Sequence, residues 1–539
     1  MSNQPEWWRN AVIYQIYPRS FADASGDGYG DLPGIIERLP YLAQLGVDAI
    51  WLSPFYLSPM ADAGYDVADY TVVDPLFGET SDARDLISQA HDLQLRVLID
   101  LVPNHTSDEH DWFKAAVEAG PGSSERDMYI FRDGQGDDGE LPPNNWSSVF
   151  GSCGWTRLHR PDGTPEQWYL HLFDVKQPDL NWNDERVRAA FDGVLRHWLD
   201  AGVDGFRVDV AHGLVKKTGL PDQREESELL GAQMGPMWDQ DGVHEIYRRW
   251  HCVLEDYDGD RALVAEAWVP DLDRLARYVR PDEMHQAFNF DFLTAAWDAA
   301  AYRSVIRDSM AANDAVGAPT TWVLSNHDVM RHASRLGRVD TANRNGVGPE
   351  DPQPDNELGL RRARAATLMM LALPGSAYVY QGEEFGLPEH TMIPHELRQD
   401  PVWERSAHEQ VGRDGCRVPM PWTADAPGLG FSPTGETWLP QPESYVRLAA
   451  DQQIDVPGST WSLYRDALAL RKSHSLGSGA LKWATDFGDD VVAFSNGDVT
   501  VLTNVGGNPV AIPEGKVLLA STDVDGELPR DATVWLTQG

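Results

Sequence analysis

Short runs of β-branched and aromatic residues return along the whole chain, and stretches of helical period lie between them. The runs are AVIYQIYP from Ala11, VDAIWLSP from Val47, LRVLIDLV from Leu95, VDGFRVDV from Val203, ALVAEAW from Ala262, TWVLSNH from Thr321 and SAYVYQGEE from Ser376. Each reads as a strand covered on both faces, because it is continuously apolar rather than alternating. Among the intervening stretches, RVRAAFDGVLRHWLDAG from Arg186 places Val187, Ala190, Phe191, Val194, Leu195, Trp198 and Leu199 on one helical face.

Alternation of this kind builds an α/β protein around a parallel sheet. A closed (β/α)8 TIM barrel needs one further strand between Glu266 and Thr321, and QAFNFDF from Gln286 is the candidate. A doubly wound open sheet satisfies the alternation equally well, so the choice of a barrel rests on what the strand ends carry. The expected division is a barrel over 1–102 and 175–473, interrupted after its third strand by a small domain over 103–174, and closed by an antiparallel β-domain over 474–539. The insertion is rich in Gly, Pro, Asp and Asn with Trp and Phe interleaved, and is too long for a plain loop. The last segment, containing DDVVAFSNGDVTVLTNV, alternates short strands with turn dipeptides.

Composition removes several function classes. Acidic residues outnumber basic ones by 84 to 44, and a formal charge of −40 repels a phosphate backbone, so nucleic acid is not an expected partner. The three cysteines, Cys153, Cys252 and Cys416, are odd in number, far apart and without metal-ligand spacing, which fits free thiols in a reducing compartment. The N-terminus lacks the pattern of a signal peptide, and no apolar run reaches about 18 residues. The expectation is a cytoplasmic protein without a membrane partner.

Chemistry gathers at the strand ends. Asp100 ends the third strand, Asp209 the fourth and Glu266 the fifth, and Asp328 follows the run from Thr321. A single Asp after a strand is usually a helix N-cap, but several acids at the carboxyl ends of barrel strands fall where such barrels keep their active sites. Arg207 and Asp209, two apart on a strand, point to one face; they could form a structural ion pair, or the cation could hold Asp209 ionised for nucleophilic attack. Glu266 stands in VAEAW among apolar neighbours that disfavour its charged form, which suits a general acid. One carboxylate kept anionic about 5–5.5 Å from another kept protonated is the requirement of retaining glycoside hydrolysis.

These residues resemble the α-amylase family of glycoside hydrolases, and within it the oligo-1,6-glucosidase and α-glucosidase branch. DLVPNH at Asp100–His105, GFRVDV at Gly205–Val210, the Glu266 segment and SNHD at Ser325–Asp328 look like its four principal motifs, in order, and QPDLN at Gln177–Asn181 is similar to the additional motif of this branch. The resemblance implies Asp209 as nucleophile, Glu266 as general acid/base and Asp328 as the third carboxylate. It implies His105, Arg207 and His327 on the terminal glucose, Asp66 of GYDVADY and Arg413 of RDGCRVPMPW as the clamp on the non-reducing end, Tyr65 stacked on the same ring and Phe173 lining it. A closed pocket implies exo-action on short α-glucosides of the maltose or isomaltose type.

DASGDGYGD from Asp23 sets oxygen donors at every second position of a Gly-rich turn, which suits a hard cation or, equally, an acidic surface turn. The resemblance implies a structural divalent cation, calcium or magnesium, held by Asp23, Asp27, the Tyr29 carbonyl and Asp31, with Ser25 where many members have Asn; it implies no organic cofactor. Val210 resembles the form associated with α-1,6 cleavage, while Ala211 and His212 stand where those enzymes usually carry other residues. The segment QREESELLGAQMGPMWDQDG, 223–242, is expected over the mouth of the barrel. Two relatives compete with the hydrolase: a transglucosylase or sucrose/trehalose isomerase with the same catalytic residues, and a non-catalytic scaffold, which the presence of Asp209, Glu266 and Asp328 opposes. Oligomeric state is not readable.

Overall fold

The computed structural model describes residues 6–224, 231, 233–341 and 345–537. Eight strands form one parallel sheet: β1 (Val12–Ile16), β2 (Ala49–Leu52), β3 (Arg96–Leu101), β4 (Gly205–Val208), β5 (Ala262–Ala265), β6 (Gln286–Ala287), β7 (Thr321–Val323) and β8 (Ser376–Tyr380). Their order is β6-β5-β4-β3-β2-β1-β8-β7, and a parallel bridge from Phe288 to Thr321 joins the two ends. The sheet therefore closes into a barrel, and the open-sheet alternative is excluded. The stretch from Gln286, the eighth candidate, supplies the shortest strand.

Side chains on β1 divide by the period of two. Val12, Tyr14 and Ile16 pack outward into the large core shared with the helices, while Ile13 joins Ala49, Trp51, Leu98, Val264, Val323 and Tyr378 inside the barrel. The helices alternate with the strands: α1 (Leu32–Leu45), α2 (Thr80–Asp92), α3 (Glu185–Ala201), α4 (Val243–Glu255), the single turn α5 (Leu272–Leu275), α6 (Ala299–Asp314), α7 (Asn356–Leu371) and α8 (Thr460–Ser473). In α3, Asp184 caps the N-terminus by accepting from the Arg186 amide, Gly202 ends the helix at φ 106°, and the predicted apolar face is buried except for Ala190, which is half-buried.

Between β3 and α3 the chain forms the helix Asp111–Ala119 and a three-stranded antiparallel sheet of Phe131–Arg132, Trp155–His159 and Pro165–Leu170. Its apolar side chains, among them Ile130, Trp146, Phe150 and Phe173, make one cluster with Val210 and Trp238 from the loop after β4. This shared cluster fixes the lobe against the barrel mouth. A five-stranded antiparallel sheet, Leu481–Trp483, Val491–Asn496, Val499–Asn504, Ala532–Thr537 and Lys516–Ala520, rests on α7, where Trp535 Nε1 donates to the Leu368 carbonyl at 3.0 Å. No helix among the described residues is long and apolar enough to cross a membrane. Of the segment 223–242, residues 225–230 and 232 lie outside the described residues.

Candidate active site

The carboxyl ends of the strands converge on a cavity lined by Asp62, Tyr65, His105, Phe150, Phe173, Asp209, Val210, His212, Gln233, Glu266, Trp268, Asp328 and Arg413. Arg207, projecting inward from β4, is at its base. Its Nη1 donates to Asp100 Oδ1 at 2.8 Å and to Asp209 Oδ1 at 2.6 Å, and its Nη2 lies 3.5 Å from Glu266 Oε2. Three strands thus deliver their terminal acids to one guanidinium, which itself lies over the faces of Trp51 and Tyr65. Asp209 and Glu266 meet across this cation.

The electrostatics of Asp209 differ from the expectation that Arg207 alone would keep it ionised. Burial, with Glu266, Asp100 and Asp328 close by, outweighs the guanidinium and pushes its carboxyl up. Asp100 is likewise pushed up to about 6 by burial against the pull of Arg207. Asp100 and Asp209, two buried carboxylates on one cation, thus disfavour being charged together, as like charges at close quarters must.

Glu266 is held from two sides: the Val210 amide donates to Oε2 at 2.7 Å and Trp268 Nε1 to Oε1 at 2.9 Å. Val210 makes its bond from a left-handed backbone, φ 47°, a conformation that β-branched residues avoid. The turn that presents Asp209 therefore also aims an amide at the second acid, and the strain is stored at the site.

The opposite wall is cationic. Arg413 Nη1 and Arg417 Nη2 each donate to Asp328 Oδ1 at 3.0 Å, Arg413 Nε binds Asp400 at 2.7 Å, and Arg413 Nη2 binds Asp62 at 3.0 Å. With His327 beside it, Asp328 is held below the usual carboxylate range despite its burial, and Asp400 is lowered to about 2. His327 is stacked between Tyr65 and Tyr17, with centroids at 5.4 and 5.7 Å. Gln15 Nε2 lies 2.7 Å from its Nδ1, leaving the proton on Nε2, which faces Tyr65 Oη at 2.7 Å and Asp328 at 3.3 Å. Tyr65 in turn donates to Asp100 at 3.0 Å, so the two walls are linked by one hydrogen-bonded chain. His105, lowered to about 4 by burial, is neutral, with Nε2 beside Gln177 and the Tyr65 carbonyl.

The sequence-based choice of Asp66 for the clamp does not match its placement. Asp66 is fully buried beneath its loop, accepting from Ser58 Oγ and from the amides of Ala61 and Asp62, and it is absent from the cavity lining. Asp62, four residues earlier, lines the cavity and meets Arg413, and Gln177 Nε2 donates to its other oxygen at 3.2 Å. Sequence reasoning also passed over Phe150, which faces the Arg413 guanidinium at 5.6 Å, and Arg417, the second arginine of a motif already singled out. The other candidates, Tyr65, His105, Phe173, Arg207, His327 and Arg413, are together at the mouth.

In the DASGDGYGD loop, Asp23 accepts from Ser25 Oγ and the amides of Gly26 and Gly28, Asp27 from the Tyr29 amide, and Asp31 from the amides of Ala24, Ser25 and Gly34 while capping α1. Among the described residues no group of three His, Cys, Asp or Glu stands close enough to hold a metal ion.

The model of the α-amylase catalytic domain matches residues 15–479. A protein of Rhizobium meliloti (strain 1021) named "Probable alpha-glucosidase" is 38% identical over 499 residues, covering 89% of this chain and 85% of that protein. The oligo-1,6-glucosidase of Heyndrickxia coagulans is 33% identical over 513 residues, 87% of this chain and 86% of its own length. The crystal structure of an alpha-glucosyl transfer enzyme superposes with a TM-score of 0.87 at 35% identity, over 99% of this chain and all of that one. With its closed barrel and its acids at the strand ends, the chain belongs to the α-amylase family of glycoside hydrolases.

Proposed function

We propose that this protein is a retaining, exo-acting α-glucosidase that releases glucose from the non-reducing ends of short α-glucosides. The observation that carries the reading is the placing of Asp209 and Glu266 on one guanidinium, Arg207, facing a pocket closed at its other end by Asp62, Asp328 and Arg413. A terminal glucose fills such a pocket with its hydroxyls against the charged wall and its ring between Tyr65, Phe150 and Phe173. Asp209, as the carboxylate, attacks the anomeric carbon as the glycosidic bond breaks, and Glu266, as the acid, gives its proton to the departing oxygen. Glu266 then takes a proton from water, whose oxygen displaces Asp209 and restores the acid. Asp328, fixed as an anion by two arginines, steadies the distorted sugar.

Incubation with maltose, isomaltose, sucrose, trehalose and kojibiose, with products identified by NMR, tests the reading: α-glucose is the expected first product, and β-glucose would overturn it. The likeness to an alpha-glucosyl transfer enzyme favours transglucosylation as the second reading; longer or rearranged sugars without free glucose would establish it instead. The three free thiols support a cytoplasmic location. The resemblance carried by Asp23, Ser25, Asp27, the Tyr29 carbonyl and Asp31 supports a structural calcium or magnesium ion, which would take the place of the loop's own amides as partner of these carboxylates. Chelation is then expected to lower the unfolding temperature by a few degrees, reflecting about 2–3 kcal/mol of linkage at saturating ion, with the chemistry intact at low temperature. An unchanged melting curve would leave the loop to its amide hydrogen bonds alone.

A further inference from the structure

The Glu266 side of the cavity contains a polar group that the double displacement does not use. His212 lines the cavity, is 1% exposed, and is held flat against Trp238 with ring centroids 5.0 Å apart. Its Nε2 lies 2.5 Å from Gln233 Oε1, so Nε2 carries the proton and Nδ1 presents a lone pair. That nitrogen is buried and meets no hydrogen-bond partner among the described residues. Burial lowers the imidazole's pKa, which keeps it neutral and preserves the lone pair.

The surroundings say which part of a substrate would meet it. Gln233 donates its amide to the Trp268 carbonyl at 3.1 Å, Trp268 donates to Glu266 Oε1, and the Ala211 amide donates to the Glu266 carbonyl at 2.9 Å. His212, Gln233, Trp268 and Glu266 therefore form one connected wall. The oxygen that Glu266 protonates belongs to the leaving group, so the leaving group passes along this wall, while the glucose faces Asp62, Asp328 and Arg413 on the other.

We infer that His212, oriented by Gln233, is a specificity-determining residue that accepts a hydrogen bond from a hydroxyl of the leaving sugar, and so selects glycosides of polyhydroxylated leaving groups over those without a hydroxyl. The inference rests on the α-glucosidase reading. A neutral acceptor with a fixed tautomer reads an O–H donor, and a buried group left unpaired penalises any leaving group that lacks one.

The test compares kcat/KM, which covers the steps up to departure of the leaving group, on isomaltose and maltose with that on α-glucosyl fluoride. His212→Ala is expected to lower the disaccharide values roughly 10- to 100-fold, as loss of a buried hydrogen bond does, and to change the fluoride value less than about threefold. His212→Asn, which restores an acceptor, should recover part of the loss. Equal losses on all substrates, or none on any, would overturn the inference. Should His212→Ala not fold, Gln233→Leu, which frees the tautomer, must give the same split in smaller measure, and its absence counts against the inference. Wild-type enzyme inactive on the fluoride and on both disaccharides would instead defeat the α-glucosidase reading itself.

Discussion

Two arginine-centred networks face each other across the cavity, and they treat their carboxylates in opposite ways. Around Arg207, Asp100, Asp209 and Glu266 share one cation, and burial pushes both aspartates up. Around Arg413 and Arg417, Asp328 and Asp400 are held down, while burial, with Asp400 close by, raises Asp62 and Asp414. Both groups are largely buried, so burial alone does not separate them. The ratio of cations to acids does: one arginine serves Asp100, Asp209 and Glu266 and leaves both aspartates raised, whereas two arginines with a neighbouring imidazole leave Asp328 and Asp400 as fixed anions. Under the proposed function the first network reacts and the second grips the sugar.

The largest effect expected from this division is at Asp209. Asp209→Ala should reduce turnover roughly 10⁴-fold or more while leaving the melting temperature within a few degrees, because it removes the attacking atom and relieves repulsion among the acids. Retention of a tenth of wild-type kcat would place the nucleophile elsewhere. Glu266→Gln should cost roughly 10²- to 10⁴-fold on disaccharides, the usual worth of a general acid, and much less on aryl glucosides, whose leaving groups need little protonation. Equal losses on both would remove Glu266 from the acid role and erase the distinction between the two networks.

The barrel and its reactive network were legible in the sequence because both depend on short-range pattern. A buried strand announces itself in four or five residues, and the acid that follows it is carried to the mouth by the fold. Even QAFNFDF, which yields only a two-residue strand, closes the ring at Phe288 and Thr321. The gripping network was less legible. Three aspartates, Asp62, Asp66 and Asp69, lie within eight residues, and which one faces the cavity depends on a turn in which Met60, Ala63 and Gly64 all take positive φ. Two of these are not glycine, so composition gives no signal for the turn. The raised carboxyl of Asp209 was hidden for another reason: Arg207 is its neighbour in sequence, whereas Glu266, Asp100 and Asp328 reach it only through the barrel.

That ambiguity supplies the next test. Asp62→Ala should raise KM for short glucosides and lower kcat/KM by roughly 10- to 100-fold, because it leaves Arg413 with an unpaired donor where the glucose binds. Asp66→Ala removes a carboxyl that accepts from Ser58 and two amides, and should act mainly on stability, by about 1–3 kcal/mol. The reverse assignment, with the kinetic loss at Asp66, would restore the reading made from sequence and dissolve the gripping network as drawn.

The smallest effect is the most discriminating for the coupling among the acids. Asp100 touches Arg207 at 2.8 Å and Tyr65 at 3.0 Å but lines no part of the cavity, so Asp100→Asn keeps the shape while deleting one charge and exchanging one of two acceptor oxygens for a donor. Removing a like charge makes ionisation of the remaining acids easier, so the general acid's proton leaves at lower pH. Activity on disaccharides requires that proton, and the alkaline limb of kcat/KM should therefore move toward acid by about one unit, the equivalent of about 1.4 kcal/mol. The same substitution lets Asp209 ionise earlier, and the acid limb should move in the same direction. A profile that shifts as a whole toward acid is the signature of acids coupled through Arg207. Movement of a single limb, or of neither, would mean that Asp209 and Glu266 titrate independently of Asp100, and that the number of acids around the arginine does not set the proton's hold.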